Sequence, residues 1–299
     1  VRKSFQFYTE TPNEYFDSIE WIEVDFEDIH SLQNALNGVE EVYHCAAKVS
    51  FHPKDEKKMY QTNIEGTKQL LFACQNSSVK KFLFVSSIAV LDGLNENGEL
   101  DESSDFNPKI DHSAYAISKH FSEMEVWRAS AEGLNTVIVN PGIIIGSGNW
   151  KESSGTLFKE LGENAYTFSG GTSYVDVRDV AQISIELMEK NIFGERFILV
   201  SESAKYKEIG NSIRQKLGKS PMKLLPNVVL KVGFYLNLLF GWLFSPLKMA
   251  NKVNIKSVTE FNKISNKKIK EKLNYEFIPL EESLAFHVEN YKKDKNFNK

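Results

Sequence analysis

The sequence predicts an α/β protein, a doubly wound parallel sheet followed by a smaller, mostly helical C-terminal lobe. Three observations predict it. Short runs rich in Val, Ile and Phe alternate with helical patterns as far as Val200. Small or hydroxyl-bearing residues follow several of those runs immediately, where the ligands of such sheets sit. After Ser201 the alternation stops, and helical segments punctuated by Pro221, Pro226, Pro246 and Pro279 take over.

The strand runs are 19–24, 41–46, 81–86, 135–140 and 196–200. The first is read from Ile19, Ile22 and Val24, the second from Val42 and Tyr43. Phe82-Leu83-Phe84-Val85, Val137-Ile138-Val139 and Phe197-Ile198-Leu199-Val200 are unbroken apolar runs, as strands covered on both faces should be. Helical patterns occupy 28–36, 53–74, 113–131 and 178–189, the first three opened by Asp28, Pro53 and Ser113, residues that helix starts prefer. Residues 146–172, rich in Gly and Ser, read as a loop leaving the sheet edge before 174–177 returns. Residues 292–299 read as a solvated, disordered end. The expected division is a sheet domain of 1–145 and 173–200, and a second lobe of 146–172 and 201–299.

At 299 residues and 41% hydrophobic content the chain can bury a sizeable core. Its formal net charge of −4 provides no basic face for nucleic acid, which excludes that class of partner. Cys45 and Cys74 are far apart, and the six histidines show no paired ligand spacing, so neither a disulfide framework nor a metal is expected. With no charged-then-apolar leader after Val1, a cytoplasmic protein is expected, as a monomer or homodimer. The apolar stretch 227–247 is interrupted by Lys231, Gly233, Asn237 and Gly241, unlike a membrane span. Asn227, Lys231, Gly241 and Ser245 suggest a helix with a narrow polar stripe, read first as core of the second lobe. The alternatives are the lining of an apolar-substrate pocket and contact with a membrane surface.

Tyr115 and Lys119 stand one helical turn apart, so their side chains share a face. A phenol is a poor acid at neutral pH, but a neighbouring ammonium favours phenolate and should pull its pKa down. Such a tyrosine can protonate a carbonyl oxygen while a hydride reaches the carbon. With 11 tyrosines in a lysine-rich chain, one such spacing arises by chance, and context decides. The context is a strand ending in Ser86-Ser87, which supplies a second hydroxyl for the same oxygen.

Seven segments in order now carry a resemblance. They are Val24-Asp25-Phe26, His44-Cys45-Ala46-Ala47, Asn63-Ile64-Glu65-Gly66-Thr67, Val85-Ser86-Ser87, Tyr115 to Lys119, Asn140-Pro141-Gly142, and Tyr174 to Ala181. The chain resembles the extended short-chain dehydrogenase/reductases, within the NAD(P)-dependent epimerase/dehydratase superfamily, and in particular their dihydroflavonol-reductase-like branch. The resemblance implies a Rossmann-like NADP-binding domain, a substrate-binding second lobe and a catalytic triad of Ser87, Tyr115 and Lys119. Ser86 is the alternative for the serine role. It further implies that Asp25 and Phe26 border the adenine, and that Ala46, Ala47 and Lys48 line the ribose and pyrophosphate path. Asn63 would lie on the cofactor side of its helix, Pro141, Gly142, Ile143 and Ile144 would face the nicotinamide, and Lys119 would bind its ribose. Val1-Arg2-Lys3 matches the end of the family's second strand, where Arg2 and Lys3 suit a 2′-phosphate, so NADP(H) is favoured over NAD(H).

The family's glycine-rich phosphate turn does not occur in the 299 residues. The strand–turn–helix unit of roughly 30 residues that carries it would precede Val1. Its absence predicts a hole in the sheet and weak cofactor binding. The expected substrate is a small, apolar carbonyl compound or alcohol. The acid pair that sugar-nucleotide dehydratases carry after the serine is replaced by Ile88-Ala89. The remaining alternatives are a nucleotide-sugar epimerase and a non-catalytic NADP(H)-binding regulator, although a regulator need not keep the Tyr–Lys pair.

Overall fold

The computed structural model describes residues 1–151 and 153–297. Among them the strands are β1 (Glu41–His44), β2 (Lys81–Val85), β3 (Asn135–Pro141), β4 (Ile143–Ile145), β5 (Tyr166–Thr167), β6 (Gly171–Asp176), β7 (Glu195–Leu199), β8 (Glu202–Lys205) and β9 (Lys223–Leu224). The first helices are α1 (Arg2–Phe5), α2 (Pro12–Asp17), α3 (Ile29–Ala35), α4 (Glu56–Tyr60), α5 (Gly66–Gln75) and α6 (Ala114–Ala131). They are followed by α7 (Leu157–Glu163), α8 (Val177–Glu189), α9 (Tyr206–Lys216), α10 (Asn227–Phe240), α11 (Lys252–Thr259), α12 (Lys267–Leu273) and α13 (Leu280–Phe297).

The central sheet has the order β1-β2-β3-β7 and is parallel throughout, with His44 beside Phe84 and Val85 beside Val139. Side chains alternate across it. Phe82, Phe84 and Ile138 pack with Leu71 and Cys74 of α5 and Val126 and Ala129 of α6. Leu83, Val137 and Val139 meet Ile183 and Leu187 of α8 and Ile269 of α12. Both faces are covered, which is why β2, β3 and β7 read as unbroken apolar runs. A smaller sheet, β4-β6-β8, carries a third core cluster in which Tyr174 and Phe158 meet Ile209, Leu284 and Val288.

Four expectations need correction. Residues 19–24 form no strand, and β1 is the outer edge of the sheet. A strand exists only through its pairing, and 19–24 has no described partner. The N-terminal segment packs instead through aromatic rings, Phe16 stacking on Trp21 at 4.6 Å and meeting Phe5 edge-on at 5.8 Å. The sheet has no hole, since its four strands are contiguous. The C-terminal end continues in α13 to Phe297, with Tyr291 and Asp294 buried, while 298–299 lie outside the described residues. The stretch 227–247 is not core, because no residue of α10 is buried.

Two local details position the site. The helical pattern 53–74 is interrupted by a wide, π-type turn at Gln61–Glu65, which carries Asn63. Residues 146–172 contain α7 and β5 rather than loop alone.

Candidate active site

Helix α6 starts where Ser113, in extended conformation, accepts the Ala116 N–H at 3.1 Å. This cap sets Tyr115 in the first helical turn. Strand β2 ends at Val85, but the Ser86 N–H still donates to the Val139 carbonyl at 2.8 Å. Ser87 is extended, its hydroxyl accepts the Ala89 N–H at 3.2 Å, and it is near enough to the half-buried Tyr115 to lower the phenol's pKa. One turn along α6, the buried Lys119 ammonium donates to the Val85 carbonyl at 2.7 Å and lies 4.6 Å from the Phe84 ring centroid. Ser87, Tyr115 and Lys119 therefore converge on the carboxyl end of β2.

The expected depression of the phenol does not occur. Burial raises the Tyr115 pKa, against the opposing hydrogen bond from Ser87. The ammonium points at the Val85 carbonyl, and its own pKa falls to about 8 through burial, against the raising influence of Glu123.

Ser86 is buried, and its hydroxyl, which has no hydrogen-bond partner among the described residues, helps to lower the pKa of the buried Glu123. Asn140 donates its amide to Glu123 Oε1 at 2.6 Å and to the Ser87 carbonyl at 3.1 Å. Arg196 Nη1 lies 3.7 Å from Glu123 Oε2. Burial raises the Glu123 pKa, while Ser86, Asn140, Arg196 and Lys119 oppose it. Sequence reasoning passed over Glu123, although it stands one further turn after Lys119 on the same face. Asn140 was noticed only as part of a motif; its signal is a polar residue ending a buried strand.

Asn63 is buried, with its polar atoms engaged within the protein. Its Oδ1 accepts the Lys48 N–H at 2.7 Å, and its Nδ2 donates to the Lys48 carbonyl and to Ser118 Oγ, both at 2.9 Å. Ser118 in turn donates to the Tyr115 carbonyl at 2.8 Å. Thr67 donates to the Asn63 carbonyl at 2.6 Å, so His44 Nε2, 2.9 Å from the same hydroxyl, must carry the proton. Burial lowers the His44 pKa to about 3, which keeps the ring neutral. Asn63 thus clamps the loop after β1 onto α6, while Ala46 and Ala47 are exposed. Phe26 stacks on His44 at 5.9 Å, and Asp25 is exposed, its Oδ1 accepting the Glu27 N–H.

Beyond the buried Pro141, a Cβ on Gly142 would lie 2.4 Å from the Ser173 carbonyl oxygen, so only glycine fits where β3 passes the second sheet. Ile143 and Ile144 are half-buried against the neighbouring core clusters. Arg2 and Lys3 do not join this group. They lie in a short helix rather than at a strand end, Arg2 pairing with Asp17 at 2.6 Å and Lys3 with Asp294 at 2.5 Å. Both cations found carboxylates on α2 and α13, and the guanidinium also covers the Phe16 ring at 4.0 Å. A cleft opens beside the start of α6, lined by Phe51, His52, His112, Ser113, Ala114 and Asn254, so it lies between the start of α6 and α11.

Residues 2–199 match the NAD dependent epimerase/dehydratase family. Sterol demethylase protein B of Methylococcus capsulatus is 30% identical over 181 residues, covering 60% of this chain and 55% of that protein. Anthocyanidin reductase of Arabidopsis thaliana is 28% identical over 223 residues, covering 65% of this chain and 64% of that protein. The chain therefore spans little more than half the length of the first of these relatives and under two thirds of the second. The crystal structure of gox2253 superimposes with a TM-score of 0.80 at 25% identity, covering 95% of this chain and 89% of that chain. UDP-glucose 4-epimerase of Thermotoga maritima shares the fold, with a TM-score of 0.72 at 23% identity, covering 92% of this chain and 84% of that one. The parallel sheet, the residues gathered at the end of β2 and a match running over well more than half of the sequence agree: the chain belongs to the NAD dependent epimerase/dehydratase family.

Proposed function

We propose that this protein is an oxidoreductase that exchanges hydride between NADP(H) and the carbonyl or alcohol carbon of a small, apolar substrate. The observation that carries the reading is that Ser87, whose hydroxyl lowers the Tyr115 pKa, stands beside Tyr115 at the end of β2, with Lys119 one turn behind and bonded to the Val85 carbonyl. Two hydroxyl donors side by side suit one carbonyl oxygen. Tyr115 gives its proton to that oxygen in reduction and takes it back in oxidation, while Ser87 holds the oxygen in place. The Lys119 ammonium, charged below its pKa of about 8 and bonded to the Val85 carbonyl, would have to turn from that carbonyl to stabilise the phenolate left by the transfer.

The residues present fit the nicotinamide and ribose end of the cofactor. The exposed Ala46 and Ala47 leave a rim of small side chains past β1. When bound, the nicotinamide supplies or accepts the hydride. Asp25 and Phe26 are assigned to the adenine border, Lys48 to the rim, Pro141 to Ile144 to the nicotinamide face, and Asn63 to holding the rim in position. Residues 1–145 and 173–200 are read as the cofactor side, and 146–172 and 201–299 as the substrate side. The preference for NADP(H) rests on the sequence resemblance at Val1-Arg2-Lys3 alone, since both cations are paired with carboxylates in a short helix. It is tested by kcat/KM, which should favour NADPH over NADH, equal values removing the preference.

The epimerase alternative loses support at Arg214, which is buried and donates to the carbonyls of Gly162, Asn164 and Ser220, leaving it unsuited to a diphosphate. A non-catalytic regulator has no use for the paired hydroxyls. Tyr115→Phe in the full-length gene product, assayed by NADPH absorbance on a panel of apolar ketones and aldehydes, should lower kcat about 10²–10⁴-fold. Cofactor affinity should change little. Undiminished turnover would overturn the proposal.

A further inference from the structure

We propose that α10 and the turn after it dock on a phospholipid surface carrying anionic headgroups. A helix on a water-soluble body turns its apolar stripe inward and its polar residues outward. Helix α10 does the reverse. Leu230, Gly233, Phe234 and Asn237 form its inner, half-buried face, where Asn237 Nδ2 donates to the Ala250 carbonyl at 3.4 Å. Its outer face carries Val228, Val232, Tyr235, Leu238 and Leu239, with Trp242 just past its end. Val228 is 68%, Leu238 70% and Trp242 79% exposed, values typical of lysine rather than of large apolar side chains. Leu243, Phe244 and Met249 extend the same face through the following turn. An apolar patch this continuous marks an interaction surface.

The charge pattern selects the occupant. From Pro221 to Thr259 the sequence contains no Asp or Glu but five lysines, Lys223, Lys231, Lys248, Lys252 and Lys256, in a chain whose formal net charge is −4. Lys252 and Lys256 face Asp111 and Glu260 across exposed ion pairs, at 3.4 and 3.8 Å. An apolar face bordered by lysines, with Trp and Tyr on it, is the composition that lies in a lipid interface. At 14 residues α10 is about 21 Å long. Among the described residues no helix is long and apolar enough to cross a membrane, so α10 would lie along the surface. A second copy fits less well, because a two-fold contact through this face brings the same lysines together from both partners.

The test is binding of the full-length gene product to extruded vesicles, read by co-sedimentation and by quenching of tryptophan fluorescence with brominated lipids. Vesicles of phosphatidylcholine mixed with phosphatidylglycerol should bind at least about tenfold more tightly than phosphatidylcholine alone, with the difference shrinking in high salt. Leu238→Gln combined with Trp242→Gln should abolish binding to both, with an unchanged melting temperature because both side chains are exposed. Lys231→Gln with Lys248→Gln should remove only the preference for the anionic lipid. Absence of wild-type binding, or equal binding to the two vesicles, overturns the proposal. So does a wild-type dimer in light scattering that the double apolar variant converts to monomer without any vesicle binding, which assigns the face to a second copy.

Discussion

His44 makes acid stability a sensitive probe of the site. Its ring is buried between Phe26, Phe82 and Phe84 and donates to Thr67, an environment that lowers its pKa from 6.5 to about 3. The folded protein therefore refuses a proton that the unfolded chain accepts once the pH drops below 6.5. Stability attached to this residue is intact above that value and declines as the pH falls toward 3. Each pH unit within that window costs about 1.4 kcal/mol, so moving from pH 7.5 to pH 5 should cost about 2 kcal/mol. His44→Gln keeps an N–H within reach of Thr67 but cannot titrate. Urea unfolding of both proteins at the two pH values isolates the contribution, since other titrating groups cancel in the comparison. Wild type should lose about 2 kcal/mol more than the variant on acidification. Equal losses would mean that His44 is protonated in the folded state, and the hydrogen-bond assignment through Thr67 to Asn63 would fall with it.

Two further outcomes follow from the same networks. Asn63→Ala removes three hydrogen bonds that tie Lys48 and Ser118 together, and should cost about 2–4 kcal/mol in thermal or urea unfolding. It should raise the KM for cofactor more than it lowers kcat, because the rim after β1 loosens while Tyr115 keeps its place beside Ser87; a selective loss of kcat would refute that role. Glu123→Gln removes a charge that raises the Lys119 pKa, so that pKa should fall below about 8 and the alkaline decline in activity should begin at lower pH. A pH–rate profile with an unmoved alkaline limb would dissociate Lys119 from that decline.

The parts of the fold that were legible share one property, namely that their environment is implied by their own residues. β2, β3 and β7 are apolar at consecutive positions, and such runs are stable only when covered on both faces. Residues 19–24 carry Ile19, Ile22 and Val24 interrupted by Glu20 and Glu23, and they have no described partner edge, which no local pattern reports. Helix α10 was misread for the related reason that apolar content states what burial would stabilise, not whether anything covers it. In the site, the Tyr115–Lys119 spacing was legible because helical geometry fixes it. Choosing Ser87 over Ser86 depended on the alternation of neighbouring side chains at a strand end, which puts Ser87 where it influences Tyr115 and Ser86 where it influences Glu123. Arg2 was placed by analogy to a strand end, and a carboxylate 15 residues on decided otherwise.

Two polar networks grip α6 at different heights, and together they explain why Tyr115 can be held where a reaction needs it. On one side His44, Thr67 and Asn63 reach the first turn through Ser118 and the Tyr115 carbonyl. On the other, Asn140 and Arg196 converge on Glu123, two turns further along. Apolar contacts such as Val126 and Ala129 against the sheet add stability but little direction, because the hydrophobic effect is insensitive to angle. Hydrogen bonds weaken steeply when misaligned, so a helix held by them at two levels can neither slide nor rotate freely. Burying this many polar groups is unfavourable, the more so because Ser86 Oγ and Asn140 Oδ1 have no hydrogen-bond partner among the described residues. That cost is expected where a reacting hydroxyl must be held in place, since a small displacement lowers the rate far more than it lowers stability.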